Sequence, residues 1–288
     1  MVGLRIGLVA ILLFAGCGDS GDSGSGASDP APAAWARTAV LYHLHVRSYK
    51  DSDGDGNGDY AGLISKLDYI QSLGVDGILL LPVVKNDYDS YGGYAPTDFF
   101  DSETLYGDLT AFDQLIVEAN ARGLKVLLDF PWDLSSDTHP YFVSAGLSTA
   151  SPYHDYYVWS DPPQPTGQGF SGSAWRLHSG VNRYFWAKWG PTLPEWNYQN
   201  AAVRTMMKES AAFWMARGVQ GFRLDSAHNL ADQVLTGTYQ QLSPGTHAFL
   251  SEFMRHIKER NPGVLAVAEG FSSDQAVVNS YYADFIDM

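Results

Sequence analysis

From Trp35 onward, short runs of β-branched or aliphatic residues alternate with amphipathic stretches of roughly a dozen residues. The runs at 39–46, 77–81, 124–128, 221–224 and 264–268 read as strands. The stretches at 60–73, 109–120, 201–217 and 249–260 place apolar residues at helical spacing, as in Leu63, Ile64, Leu67, Ile70 and Leu73. Residues 282–288 are expected to begin a sixth strand. Strand and helix in alternation point to a parallel α/β fold. Between 131 and 199 the rhythm stops, in a segment rich in Trp, Tyr, Pro and Gly. Five or six β/α units with one long insertion after the third strand predict a TIM-type (β/α)8 barrel, incomplete here, rather than a doubly wound sheet. Periodicity alone does not separate the two.

In a barrel the reactive groups sit at the carboxyl ends of the strands. Those positions hold Asp129, Asp225 and Glu269. One acid after a strand is an ordinary turn former or cap. Three at one rim repel one another unless chemistry or a metal uses them.

Composition narrows the partners. With 18 Lys and Arg against 32 Asp and Glu, the net charge is −14, which excludes a basic footprint for nucleic acid. The single cysteine makes neither an intramolecular disulfide nor a structural zinc site. With 45% hydrophobic residues, a chain of 288 residues buries a sizeable core. Six of the eight tryptophans fall in the insertion, as a sugar-stacking wall or as ordinary core.

The amino-terminal residues read as address and tether. Residues 1–16 carry Arg5 and then an apolar run too short to span a bilayer, as in a signal peptide. Phe14-Ala15-Gly16-Cys17 resembles the lipobox of bacterial lipoproteins, with Phe where that motif usually has Leu. The resemblance implies lipidation of Cys17, and residues 17–34 have the composition of a flexible linker. An exported lipoprotein, anchored to the membrane through Cys17 and facing the periplasm or cell surface, is the expectation.

Paired carboxylates suit glycoside hydrolysis, in which one attacks or activates water and the other protonates the leaving oxygen. Gly221-Phe222-Arg223-Leu224-Asp225, Ala266-Val267-Ala268-Glu269-Gly270 and Gly93-Tyr94 followed by Asp98 resemble motifs of the α-amylase family, glycoside hydrolase family thirteen. The similarity runs from about residue 40 to 288 and places the partial catalytic barrel at 35–288, with residues 132–199 as the family's domain B. It implies Asp225 as nucleophile, Arg223 as the group holding it ionised, and Glu269 as general acid/base. It also implies substrate contacts at Tyr94, Asp98, Asp129 and His228. The implied partner is an α-glucan oligosaccharide or polysaccharide. Tyr91-Gly92-Gly93-Tyr94 tilts the reading toward an endo-acting amylase, whereas Tyr156-Tyr157-Val158-Trp159 resembles the oligo-1,6-glucosidase and trehalose synthase branch.

Asp51, Asp53, Asp55, Asn57 and Asp59 alternate as in a calcium loop, and the family often carries calcium after its first strand. Gly62 in the twelfth position argues against a true EF-hand. Asp133 offers a weaker metal ligand where the family has Asn. The neighbouring family His is Leu134, which cannot hydrogen-bond a sugar hydroxyl and favours a rival reading as a non-catalytic glycan-binding barrel. The chain stops about where the sixth strand begins, before the family's third carboxylate, as expected for part of a longer gene product.

Overall fold

The structure, a computed structural model, describes residues 30–287 apart from 88–90, 170–171, 229, 231–242 and 271–273. Cys17 and the signal and linker residues up to 29 therefore lie outside the described residues.

The architecture is set by five parallel strands: β1 (Leu41–Leu44), β2 (Gly77–Leu80), β5 (Lys125–Phe130), β11 (Gly221–Leu224) and β12 (Leu265–Ala268). Between them come a twisted antiparallel ribbon, β3 (Val84–Asn86) with β4 (Pro96–Ser102), and the small strands of the insertion. Those are β6 (Trp159–Ser160), β7 (Gln168–Gly169), β8 (Gly172–Ser173), β9 (Trp175–His178) and β10 (Arg183–Trp186). The five long-range strands pair in the order β1-β2-β5-β11-β12, every pair parallel. Spatial order thus follows chain order. A doubly wound sheet reverses direction from a central strand, so this order is that of a barrel wall.

Helices cover the outer face. The expected helix over 60–73 is broken into α1 (Tyr60–Ile64) and α2 (Leu67–Ser72). Ser65 Oγ donates to the Gly62 carbonyl at 2.6 Å, a local bond that competes with the helical ladder at the break. The others are α3 (Leu109–Ala121), α4 (Pro140–Leu147), α5 (Ala201–Ala216), α6 (Pro244–Arg260) and α7 (Gln275–Ala283). Asp108 caps α3 through the Ala111 amide, Asn200 caps α5 through Ala202, and Ser243 caps α6 just before Pro244. Their apolar faces bury Phe112, Trp214, Phe249 and Phe253 against Phe130 and Phe222 of the sheet. Tyr282 and Ala283 close α7 instead of opening a sixth strand. Past the turn at Asp284 and Phe285, the main chain meets β12 through the Asp287 amide and the Ala266 carbonyl.

The other face of the sheet has a gradient along the strands. Side chains two residues apart point the same way, so Leu127 shares a face with Asp129, Gly221 with Arg223, and Leu265 with Val267 and Glu269. At the amino end, Leu79, Leu127 and Leu265 form an apolar plug covered by Ala33 and Ala36. At the carboxyl end the same face turns polar.

The insertion shares the main core through Trp132, Phe142, Tyr157, Phe185 and Trp196, while Ala174, Trp175 and Trp186 form a small cluster of their own. Trp132, Trp175, Trp186 and Trp196 are at most 5% exposed, so most of its tryptophans are core and not sugar platforms.

Gly221 allows the plug to close. A Cβ there would lie 2.8 Å from the Leu127 side chain and 2.8 Å from the Leu265 carbonyl oxygen. Gly221→Ala is expected to cost about 1–3 kcal/mol through overpacking, measured as a fall in the denaturation midpoint without a change in the slope of the unfolding transition.

Candidate active site

The polar end of the sheet is organised by one guanidinium. Arg223 and Asp129 are register partners on β11 and β5. Arg223 Nη1 lies 2.7 Å from both oxygens of Asp129 and 2.8 Å from Asp225 Oδ1, and Nη2 lies 2.6 Å from Glu269 Oε1. Three carboxylates from three adjacent strands therefore share one cation. Tyr94 Oη donates to Asp129 Oδ2 at 2.5 Å, and His43 Nε2 stands 4.0 Å from the same oxygen.

The turn after β11 is bent to serve Glu269. Ser226 has a φ of 47°, rare for a residue with a side chain. This conformation aims its amide at Glu269 Oε2, 3.0 Å away. Both oxygens of Glu269 are thereby oriented, one by Arg223 and one by Ser226. From below, Trp132 Nε1 donates to the Asp225 carbonyl at 2.7 Å.

Electrostatics correct one expectation. Arg223 does favour ionised Asp225, but burial and the neighbouring Asp133, Asp129 and Glu269 outweigh it and raise the Asp225 carboxyl well above its ordinary range. Burial likewise raises Asp129, against the pull of Arg223. Burial opposes the charge of Arg223, yet Asp129 and Asp225 more than compensate and hold it firmly protonated.

The other expected contacts divide. Tyr94 and Asp129 join the cluster. Asp98 lies on β4 and accepts from the Phe100 amide at 2.8 Å, with no bond to the cluster. His228 is 1% exposed, and its Nδ1 lies 3.3 Å from the Glu269 carbonyl oxygen. It supports Glu269 from behind the surface, which corrects its reading as a direct substrate contact. Leu134 is 4% exposed and packs with Ala95, Leu193 and Trp189. Sequence reasoning assigned no role to His43 or Trp132. His43 lies inside the first-strand segment and Trp132 three residues after Asp129, and neither position carries a chemical signature of its own.

The loop after β1 is only partly as expected. Oxygens of Asp51, Asp53 and Asp59 converge within 4.8 Å, a set of hard donors suited to a cation such as calcium. Asp55 stands outside that trio of carboxylates, its Oδ1 accepting from the Asn57 amide, and Asn57 Oδ1 accepts from Arg47 Nε. The Gly54 and Gly56 amides hold the Asp51 carboxyl below its ordinary range. For Asp59, burial disfavours the charge, but bonds from Gly62 and Ser52 prevail and lower it.

Asp133 is 2% exposed, and among the described residues it belongs to no group of three His, Cys, Asp or Glu side chains placed to share a metal. Trp189 Nε1 donates to its Oδ2 at 2.7 Å.

A parallel sheet in barrel order with acids gathered at its carboxyl rim is an arrangement that glycosidases relying on paired carboxylates also use. The family profile described as "Alpha amylase, catalytic domain" matches residues 43–285. The chain belongs to the alpha-amylase family. It is 34% identical over 250 residues to glucan 1,6-alpha-glucosidase of Streptococcus dysgalactiae subsp. equisimilis, covering 86% of this chain and 45% of that protein. It is 33% identical over 266 residues to oligo-1,6-glucosidase of Heyndrickxia coagulans, covering 86% and 48%. The crystal structure of Bacillus licheniformis trehalose-6-phosphate hydrolase superposes with a TM-score of 0.77 at 32% identity, covering 84% of this chain and 46% of that one. The chain spans about half the length of these relatives.

Crowded carboxylates put function against stability here. Asp225→Asn is expected to raise Tm by a few degrees at neutral pH. A carboxyl raised in the fold is penalised once pH passes its unfolded value, so the gain vanishes near pH 4 and grows as pH rises. Arg223→Leu is expected to cost about 3–5 kcal/mol, because it strands buried carboxylates. That loss is larger at pH 8 than at pH 5, as thermal melts at the two values will show.

Proposed function

We propose that this chain carries the nucleophile and the acid/base of a retaining hydrolase of α-glucosidic bonds in glucose oligosaccharides. The observation that carries the reading is the gathering of Asp225 and Glu269 on Arg223 at adjoining strand ends. In it, Asp225 attacks the anomeric carbon to form a glycosyl-enzyme, while Glu269 protonates the departing oxygen and then deprotonates the incoming water. Tyr94 lies beside Asp129 and presents a ring to the sugar at the cleavage point. The raised Asp225 carboxyl restricts the nucleophile's ionised fraction at acid pH, so turnover falls steeply on acidification.

Relatives named for 1,6-linked glucosides support short α-1,6-linked oligosaccharides as substrates. The Tyr91–Tyr94 loop favours a second reading, an endo-acting amylase on starch-like chains. Glucose and reducing-sugar release by the longest natural form of the protein, from isomaltose, maltotriose and soluble starch, separates the two. Asp225→Asn is expected to lower turnover by at least about a thousandfold, the scale of losing a covalent nucleophile. Turnover that survives the substitution refutes the assignment. Glucan binding without turnover by the unsubstituted protein establishes the non-catalytic reading instead.

The same proposal includes calcium at Asp51, Asp53 and Asp59, and an export anchor at Cys17. Calcium is expected to raise Tm by several degrees and chelator to reverse the rise, with no response in Asp51→Asn. Cys17→Ser is expected to move the protein from the membrane fraction to the soluble exported fraction. Among the described residues no helix is long and apolar enough to cross a membrane.

A further inference from the structure

The insertion holds a pocket of about 620 Å3 beside β9, the edge strand of its three-stranded sheet. None of the described residues lining it belongs to the carboxylate cluster on Arg223. Its walls are pinned. On one side Trp175 Nε1 donates to the Thr166 carbonyl at 3.2 Å, the Ala174 amide to the Gly167 carbonyl at 3.0 Å, and Gln164 Nε2 to Ser173 Oγ at 2.9 Å. Gly167 permits this approach, because a Cβ there would lie 2.7 Å from the Trp186 ring and 2.9 Å from Trp175 Nε1. On the other side the Asp137 amide donates to the Thr192 carbonyl at 2.9 Å. The base is aromatic and locked: Phe142 meets Phe185 edge to face with centroids 4.9 Å apart, and Trp175 meets Trp186 at 5.2 Å.

Around that base stand one acid, Asp137, one guanidinium, Arg176, and the neutral donors and acceptors of Gln164 and Tyr184. His178 also lines the pocket, and burial lowers its imidazole below the ordinary range, so at neutral pH it adds no charge. This set restricts the ligand. An anion would meet Asp137, a cation would meet Arg176, and a wholly apolar molecule would leave both without partners. A neutral molecule with hydroxyls at its edge and apolar C–H faces suits the polar groups and the aromatic base together, which is the chemistry of a sugar ring. The volume falls within the roughly 300–1,000 Å3 of small-ligand sites. We propose that this pocket is a second saccharide site, where the insertion holds a glucose oligosaccharide apart from the carboxylate rim. The sugar class follows from the pocket, and its identity as a glucose oligomer rests on the function proposed above.

Calorimetry of isomaltotriose and maltotriose binding tests it, in the longest natural form of the protein carrying Asp225→Asn to suppress turnover. Two sugars per chain are expected, one at the rim and one in the pocket. Adding Gln164→Ala and Arg176→Ala is expected to weaken one of the two at least about tenfold, the scale of one to two lost hydrogen bonds, and to leave the other within about twofold. Should that variant fail to fold, Gln164→Ala with Tyr184→Phe reads the same loss. A single sugar per chain that the substitutions leave in place overturns the proposal, as does no uptake at all. Hydrolysis by the chain with Asp225 intact then leaves the proposed function standing. Binding that the pocket substitutions remove, in a chain that with Asp225 intact hydrolyses none of these sugars, upholds the pocket and overturns the proposed function instead.

Discussion

Everything at the carboxyl rim of the sheet depends on Arg223. Its guanidinium touches Asp129, Asp225 and Glu269 together. The strand register makes this contact unavoidable, because Arg223 lies opposite Asp129 while Asp225 and Glu269 begin the turns on either side. The result is a tense balance. Burial first, and then the acids nearby, raise the Asp225 carboxyl despite the cation beside it. A group in that state is costly for the fold and well suited to accept a developing positive charge, which an oxocarbenium-like transition state supplies.

That balance has support on two sides. The strained turn at Ser226 and the buried ring of His228 fix Glu269, while Trp132 fixes the backbone of Asp225. Farther out, the Trp189 indole N–H holds Asp133, one of the acids that disfavour the charge of Asp225.

Much of this was legible in the residues. Period-two runs ending in an acid located Asp129, Asp225 and Glu269, and the β/α alternation suggested a barrel, because both signals are local and repeat along the chain. Strand order was not local, and only pairing between strands decided it. The family resemblance implies substrate contacts at His228 and Asp98; in the structure His228 is buried against the Glu269 carbonyl and Asp98 accepts from the Phe100 amide. Asp55 alternates correctly with its neighbours yet stands outside the trio of converging carboxylates. Spacing does not report where each oxygen points. The tryptophans of the insertion could be read either way, since aromatic density looks the same whether it faces sugar or core.

One clamp lies far from the rim. Asp287 accepts from the Ala33 amide at 2.7 Å and the Ala266 amide at 2.8 Å, and pairs with the buried Lys258 ammonium. It joins residues 254 apart in sequence. Closing a loop of that length from an open chain costs on the order of 5 kcal/mol in entropy, more than a few such bonds return on their own. The contact between Ala33 and Asp287 is therefore expected to form once the intervening strands have shortened the distance. In hydrogen exchange, the Ala33 and Ala266 amides should consequently open together rather than fray separately.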